Sequence, residues 1–369
     1  MNYFWGLFKN LDKSILVLTA LFAAVSVTMI SSTAYSGGFV LTKDTVIQAL
    51  AYVLGYIAIF LLITIDYKQY PMFEKFIYIG SIIFLLSVYI PGLGVESYGA
   101  RAWIKVPGLS TIQPSEFVKI AFVILMAAYF SRHRNELSSL KGVIKSFIYA
   151  APFFAIIIKE DLGSAIVFAA IWVAMIFYAG IEYKLFFKLA AAVLACVPAV
   201  YFIMADHQKA RIMAFLHPDD LSIEANYQVW MSKVTIGSGG FFGKGLFQGT
   251  QKELDFLPVQ KSDFIFSVIC EELGFIGGFV LILLFSIFLY RLAKIARDAI
   301  DLYGALIVVG FIGMFGFQIF ENIAMTMGLM PVTGITLPFI SSGGSGILAN
   351  MMALGVALSV GMRSKQINF

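Results

Sequence analysis

Charge, cysteine and histidine are all scarce in this chain. Of its 369 residues only 13% are Asp, Glu, Lys or Arg, and there are two cysteines and three histidines. Cys196 and Cys270 both sit inside apolar runs, which excludes a disulfide framework. His133, His207 and His217 have no ligand spacing, so metal chemistry through Cys and His has no support either. The shortage of charge, beside 60% hydrophobic residues, excludes a soluble domain, because a chain of this length could not hide so much apolar surface. Its solvent is lipid. No basic stripe interleaved with aromatics appears, so the net charge of +4 does not speak for nucleic acid. There is no repeat at a fixed period, and the first apolar run lacks a small-residue cleavage site, so it reads as a retained span.

What is present is a series of apolar runs bounded by charged or Gly/Pro-rich punctuation. They predict an all-α, polytopic bundle of about ten spans, roughly at 14–33, 45–65, 75–91, 115–130, 146–158, 163–180, 185–204, 263–290, 302–326 and 341–362. The whole chain, 1–369, reads as one transmembrane domain with a single long loop at 205–262. Lys and Arg concentrate in every second connection: with both termini inside, the outer short loops hold only Lys43, Arg101, Lys105 and Lys159. Residues 92–114, 205–262 and 327–340 are therefore expected on the extracytoplasmic side.

Within the long loop, Tyr227, Trp230, Met231 and Val234 have helical spacing and predict an amphipathic interfacial helix. The Gly-rich IGSGGFFGKG that follows fails the Walker pattern, since Ser238 stands at its first Gly and Gly245 follows Lys244. A re-entrant loop packed on the bundle is the better reading.

Ionisable groups in or against a membrane are functional candidates. Glu116 and Lys119 stand three apart on one helical face, with a structural ion pair as the plain alternative, and Asp161 at the outer boundary could join them. Asp263 opens the eighth span, where it could cap the helix or act as a buried acid. Glu271, Glu272 and Glu321 each need a partner or a wet cavity. Arg101, Lys105, Lys209 and Arg211 lie on the same expected side and would suit a diphosphate or ordinary lipid phosphate. An enzyme acting on a lipid-linked substrate, a transporter and a helix scaffold all remain open at this point.

Four segments carry a resemblance: GARAWIKVPGLSTIQPSEFVKI (99–120), KEDLGSA (159–165), the run 236–277 around SDFIF, and MGLMPVTGITLPFISSGGSGILAN (327–350). Together they resemble the SEDS family of bacterial shape, elongation, division and sporulation proteins. The Gly-Ser-Gly-Gly run and Gly249-Thr250-Gln251 are more similar to its elongation member than to its division member, with a sporulation paralogue as a further alternative. Val259 stands where the family usually has Glu, and Ser341 to Gly346 depart from its Ser-Tyr-Gly-Gly-Ser-Ser.

The resemblance implies a peptidoglycan glycosyltransferase of the bacterial plasma membrane that polymerises lipid II into β-1,4 glycan at the outer face. The alternative it implies is a lipid II flippase. It places the family's essential acid on Asp263 and its Glu and Lys on Glu116 and Lys119, with Arg101, Lys119 and Arg211 as candidates to hold the diphosphate and Asp161 as a supporting acid. The expected partners are lipid II, the nascent glycan, a class B penicillin-binding protein and other membrane proteins of the elongation complex. No cofactor is expected beyond, at most, a divalent cation (Mg or Mn) at the diphosphate.

Overall fold

The computed structural model describes residues 10–34, 38–97, 100–105, 111–204, 206–250 and 259–364. Its helices are α1 (Lys13–Ala34), α2 (Lys43–Leu62), α3 (Glu74–Leu86), α4 (Pro114–Arg132), α5 (Leu140–Glu160), α6 (Leu162–Ala179), α7 (Tyr183–Ile203), α8 (Asp206–Leu216), α9 (Glu224–Ser238), α10 (Ile265–Asp298), α11 (Leu302–Thr326) and α12 (Gly344–Ser364). Among the described residues nine helical segments are long and apolar enough to cross a bilayer, α3 being counted with its 3-10 flanks. The tenth expected span is α7, helical over 21 residues. The all-α bundle read from the apolar runs is therefore the observed fold, with one small exception in the segment between α3 and α4. There β1 (Gly94–Ser97) and β2 (Ala100–Ile104) form an antiparallel hairpin, with Gly94 opposite Ile104 and Val95 opposite Trp103.

Burial sorts the helices. The apolar windows of α4, α11 and α12 are each 72% buried against 11% for the α3 span, so the first three form the centre and α3 lines the lipid side. Phe22, Phe285, Phe288, Phe315 and Phe339 close the core between α1, α10, α11 and the segment before α12, with ring centroids 4.7–6.0 Å apart. The expected break between the fifth and sixth spans is a single residue. Asp161 ends α5 and caps α6, accepting from the Ser164 N–H (2.9 Å) and hydroxyl (2.6 Å), a cap that contributes about 1 kcal/mol. α5 also starts earlier than its apolar run, because Ser139 caps it through the Gly142 N–H at 3.1 Å.

Among its described residues the long loop carries two helices, α8 and α9. α9 forms over the expected stretch and docks on the bundle by a small polar face, where Ser232 meets Ser267 (2.6 Å) and donates to the Thr326 carbonyl (2.7 Å). Tyr227 and Trp230 are turned outward. Met231 of the expected apolar stripe is buried beside this polar face against Phe264, so only part of that stripe faces outward.

The Gly-rich segment after α9 solves a problem inside α10. At Gly274 the helix breaks, with φ 68° and ψ −167°. Peptide groups freed by such a break must be satisfied within the protein. Residues 240–245 do this: the Lys244 and Gly245 N–H groups donate to the Glu271 and Glu272 carbonyls (both 3.0 Å), and the Phe275 and Ile276 N–H groups donate to Gly240 and Phe241 (2.9 and 3.3 Å). Lys244 then pairs with the buried Glu271 at 2.7 Å, while Glu272 accepts from Ser32 (2.5 Å) and from the Phe247 N–H (3.1 Å). A Cβ on Gly274 would lie 2.3 Å from the Gly243 nitrogen. Gly274→Ala combines that clash with a backbone conformation L-residues avoid, so it is expected to cost on the order of 3 kcal/mol. Thermal unfolding in detergent would read the loss, and amide exchange across 240–250 would show the segment released.

Candidate active site

Five elements bring polar side chains to one end of the bundle. Pro114 starts α4 at a position where its missing N–H costs nothing, which places Glu116 in the first turn and Lys119 one turn deeper. Their side chains pair at 2.7 Å with 12% and 2% of their surfaces exposed, so the ion pair read from the spacing is present and desolvated. Gln113, just ahead of α4, donates to Asp161 at 2.8 Å. Gln113, Glu116, Lys119, Asp161 and Ser164 line a cavity of about 40 Å³, closed by Gln318 of α11 and the backbone of residues 334–336. That is room for ordered water beside polar walls.

Asp263 stands next to Gly334 of this lining. A Cβ on Gly334 would lie 3.6 Å from Asp263 Oδ2. Asp263 does not open the helix as expected: α10 begins at Ile265, its cap position is Phe264, and no side chain caps it. The Asp263 N–H instead closes a turn on the Val259 carbonyl at 3.2 Å, which leaves the carboxylate free of a capping role. Asn322 of α11 fixes this turn, donating to the Asp263 carbonyl (2.9 Å) and to the Ile335 carbonyl (2.8 Å). The sequence left open whether burial or a helix terminus governs this acid. Burial wins: it raises the carboxyl above the ordinary carboxylate range, the Ser262 hydroxyl and the Arg211 guanidinium pull it down, and Asp161 adds to the rise.

Arg211, on α8, donates from Nη1 to the Thr333 carbonyl at 2.9 Å. Four of the residues singled out in the sequence (Glu116, Lys119, Asp161 and Asp263) thus converge with Arg211 around residues 333–336. Arg101 is one cavity away. Its backbone N–H donates to Glu160 (2.9 Å), which also accepts from Tyr89 (3.0 Å), and its side chain lines a largely apolar space of about 30 Å³ that Asp161 borders too. Lys105 is exposed and Lys209 half-buried. Leu257 and Pro258 lie outside the described residues. Gln318, Asn322 and Thr333 were missed. Gln318, Glu321 and Asn322 fall on one face of α11 at helical spacing, and that polar stripe in an apolar span was the signal available.

No group of three or more His, Cys, Asp or Glu side chains among the described residues converges to hold a metal ion. Of the acids here, Glu116 accepts from Lys119, Asp161 from Gln113 and Ser164, and Glu321 from Thr333.

A family model for cell cycle proteins, FtsW/RodA/SpoVE, matches residues 10–366. The chain is 35% identical over 363 residues to stage V sporulation protein E of Bacillus subtilis, covering 96% of this chain and 98% of that protein. It is 33% identical over 368 residues to a probable peptidoglycan glycosyltransferase FtsW of Geobacter metallireducens (97% and 96% covered). It is 32% identical over 316 residues to the peptidoglycan glycosyltransferase MrdB of Escherichia coli K12, covering 85% of each. Among solved structures it is similar to a chain of a peptidoglycan synthase complex that coordinates polymerization and crosslinking, with TM-score 0.83, 28% identity, and 96% and 99% of the two chains covered. It is also similar to the rod shape determining protein RodA of Thermus thermophilus, with TM-score 0.69, 25% identity, and 96% and 98% covered.

Removing one partner of the Glu116–Lys119 pair strands the other charge in a desolvated site, at about 3–5 kcal/mol. Glu116→Gln or Lys119→Met alone should therefore lower the melting temperature sharply, and the double variant should recover it. A folded double variant that stays inactive would assign the pair a role toward substrate beyond mutual neutralisation.

Proposed function

The chain belongs to the FtsW/RodA/SpoVE family of multi-pass membrane proteins, and from that membership we propose that it is a peptidoglycan glycosyltransferase whose base is Asp263. It works at the extracytoplasmic face of the bacterial plasma membrane, where the Lys/Arg pattern puts residues 92–114, 205–262 and 327–340. The observation that supports the assignment of the base is the Asp263 carboxylate itself. It is partly open, serves no cap, is raised in proton affinity by burial, and stands beside the Arg211 guanidinium.

The reaction joins two lipid II-derived units. The 4-hydroxyl of a GlcNAc attacks C1 of a MurNAc, the bond from C1 to the diphosphate oxygen breaks with its electron pair leaving on undecaprenyl diphosphate, and the hydroxyl proton passes to Asp263. One displacement on an α-linked donor gives the β-1,4 bond. The diphosphate needs cations. Arg211 uses one N–H on Thr333 and has further donors for phosphate oxygens. Lys119 is committed to Glu116, so its charge acts from within the cavity, and Arg101 approaches from the hairpin side. A divalent ion finds no converged set of three or more His, Cys, Asp or Glu side chains among the described residues.

The Gly237-Ser238-Gly239-Gly240 run and Gly249-Thr250-Gln251 support an elongation role over a division one, with a sporulation paralogue of the same chemistry as the alternative. A flippase would need polar groups strung through the membrane depth. Here the deep acids Glu271, Glu272 and Glu321 are engaged by Lys244, Ser32 and Thr333, which supports the enzyme.

Asp263→Asn should lower glycan polymerisation from lipid II in detergent by about a hundredfold to ten-thousandfold. Lipid II binding should persist. Because the native carboxyl holds its proton more tightly than the unfolded one, stability falls as pH rises from the ordinary Asp range through the raised value. The neutral Asn variant escapes that loss and should melt no lower than wild type at neutral pH. In the wild type the acid limb of the rate profile should lie above the ordinary carboxylate range. Polymerisation by Asp263→Asn near the wild-type rate would move the base elsewhere, with Asp161 next to test.

The one Ser-x-x-Lys match in the sequence, Ser138 to Lys141, falls on the cytoplasmic side of the Lys/Arg pattern and no Lys-Thr-Gly accompanies it, so crosslinking is assigned to a partner. A class B penicillin-binding protein should co-purify with the chain and raise its polymerisation rate. A rate unchanged by every such protein of the same cell would refute the coupling.

A further inference from the structure

Glu321 is fully buried in α11, yet the reaction as derived above does not use it. It accepts a hydrogen bond from the Thr333 hydroxyl through Oε1, while its Oε2 has no hydrogen-bond partner. A carboxylate kept at such depth is costly unless its surroundings repay it. A cation lies on the other side of Thr333. The carbonyl of that residue accepts from Arg211 Nη1 at 2.9 Å, so one residue links an acid of the membrane bundle to a cation of the long loop. The same carbonyl is packed against the start of α6, where a Cβ on Gly163 would meet it at 2.9 Å.

The next residue along α11 completes the arrangement. Asn322 donates to the Asp263 and Ile335 carbonyls. Two consecutive side chains of a central helix therefore hold the two halves of the reaction centre: Asn322 the turn that carries the base, and Glu321, through Thr333, the carbonyl on which the cation rests. Arg211 needs such an anchor, because it sits on the short helix α8 in the loop and makes no ion pair among the described residues.

We propose that Glu321 is a positioning residue for the polymerisation reaction, fixing the Arg211 guanidinium for the diphosphate leaving group by holding Thr333 from the opposite side. This rests on the assignment of Arg211 to the diphosphate given above. Glu321 itself touches neither substrate nor the transferred proton.

The test is a set of variants of the full chain, assayed for polymerisation of lipid II in detergent with melting temperature measured in parallel. Glu321→Leu removes the acceptor and should lower kcat/KM on the order of tenfold, the loss of about one well-made hydrogen bond in the transition state. Glu321→Gln keeps an acceptor for the Thr333 hydroxyl and should retain most of the rate. Thr333→Val should match Glu321→Leu, and the double variant should be no worse than either. The decisive arm is the background Arg211→Ala, in which Glu321→Leu should have no further effect, an outcome a merely structural role does not produce. Glu321→Leu at the wild-type rate, or the same tenfold loss on top of Arg211→Ala, overturns the positioning role while leaving Arg211 at the diphosphate. Arg211→Ala at the wild-type rate overturns both.

Discussion

Every peptide group near membrane depth must find its partner within the protein, and α10 violates that rule at Gly274 unless another backbone comes to it. The segment 240–245 is that backbone, with four hydrogen bonds across the break. Much of the outer architecture follows from this requirement. The segment can reach α10 only if α9 docks beside it, which the Ser232 contacts with Ser267 and Thr326 secure. Once both are in place, the loop is part of the bundle and not a flap over it. α8 and Arg211 are then held on one flank and the Asp263 turn on the other.

The spans were legible because lipid demands long apolar runs and charged ends, and this composition leaves little else to read. Where the runs misled, a local hydrogen bond overrode hydropathy. Ser139 begins α5 ahead of its apolar stretch, and Asp161 reduces an expected loop to a joint. α10 extends to Asp298, past the apolar run expected to end near 290, because its last turns are amphipathic and bury Leu292, Ile295 and Ala296. The hairpin between α3 and α4 had no clear alternation to announce it. It is held from outside by Glu160, which a reading of the loop alone does not include.

The charged members of the site were legible for a different reason: an ionisable side chain in so apolar a chain stands out. The Glu116–Lys119 pair followed from helical spacing alone. The environment of Asp263 did not, since a carboxylate at the apparent start of a helix reads as a cap until the turn from Val259 moves that start two residues on. Neither Asn322 nor Thr333 is charged: Asn322 was marked only by the polar stripe of α11, Thr333 by nothing local, and their importance is relational. Each is bonded far away in sequence: Asn322 donates to the Asp263 carbonyl 59 residues off, and the Thr333 carbonyl accepts from the Arg211 side chain 122 residues off. Such contacts are created by packing, and no local pattern encodes them.

The joint at Asp161 has a consequence for how this protein can vary. One residue ends α5, caps α6, receives Gln113 and borders both cavities, while its neighbour Glu160 holds the hairpin. A connection with no slack transmits phase: each inserted or deleted residue would turn α6 by about 100° against α5. Tags, insertions and recombination crossovers that the longer outer segments could absorb would here rotate Ser164 and the packed face of α6 away from α4 and α11. The length of this joint is therefore as strictly constrained as the identity of any residue in the site.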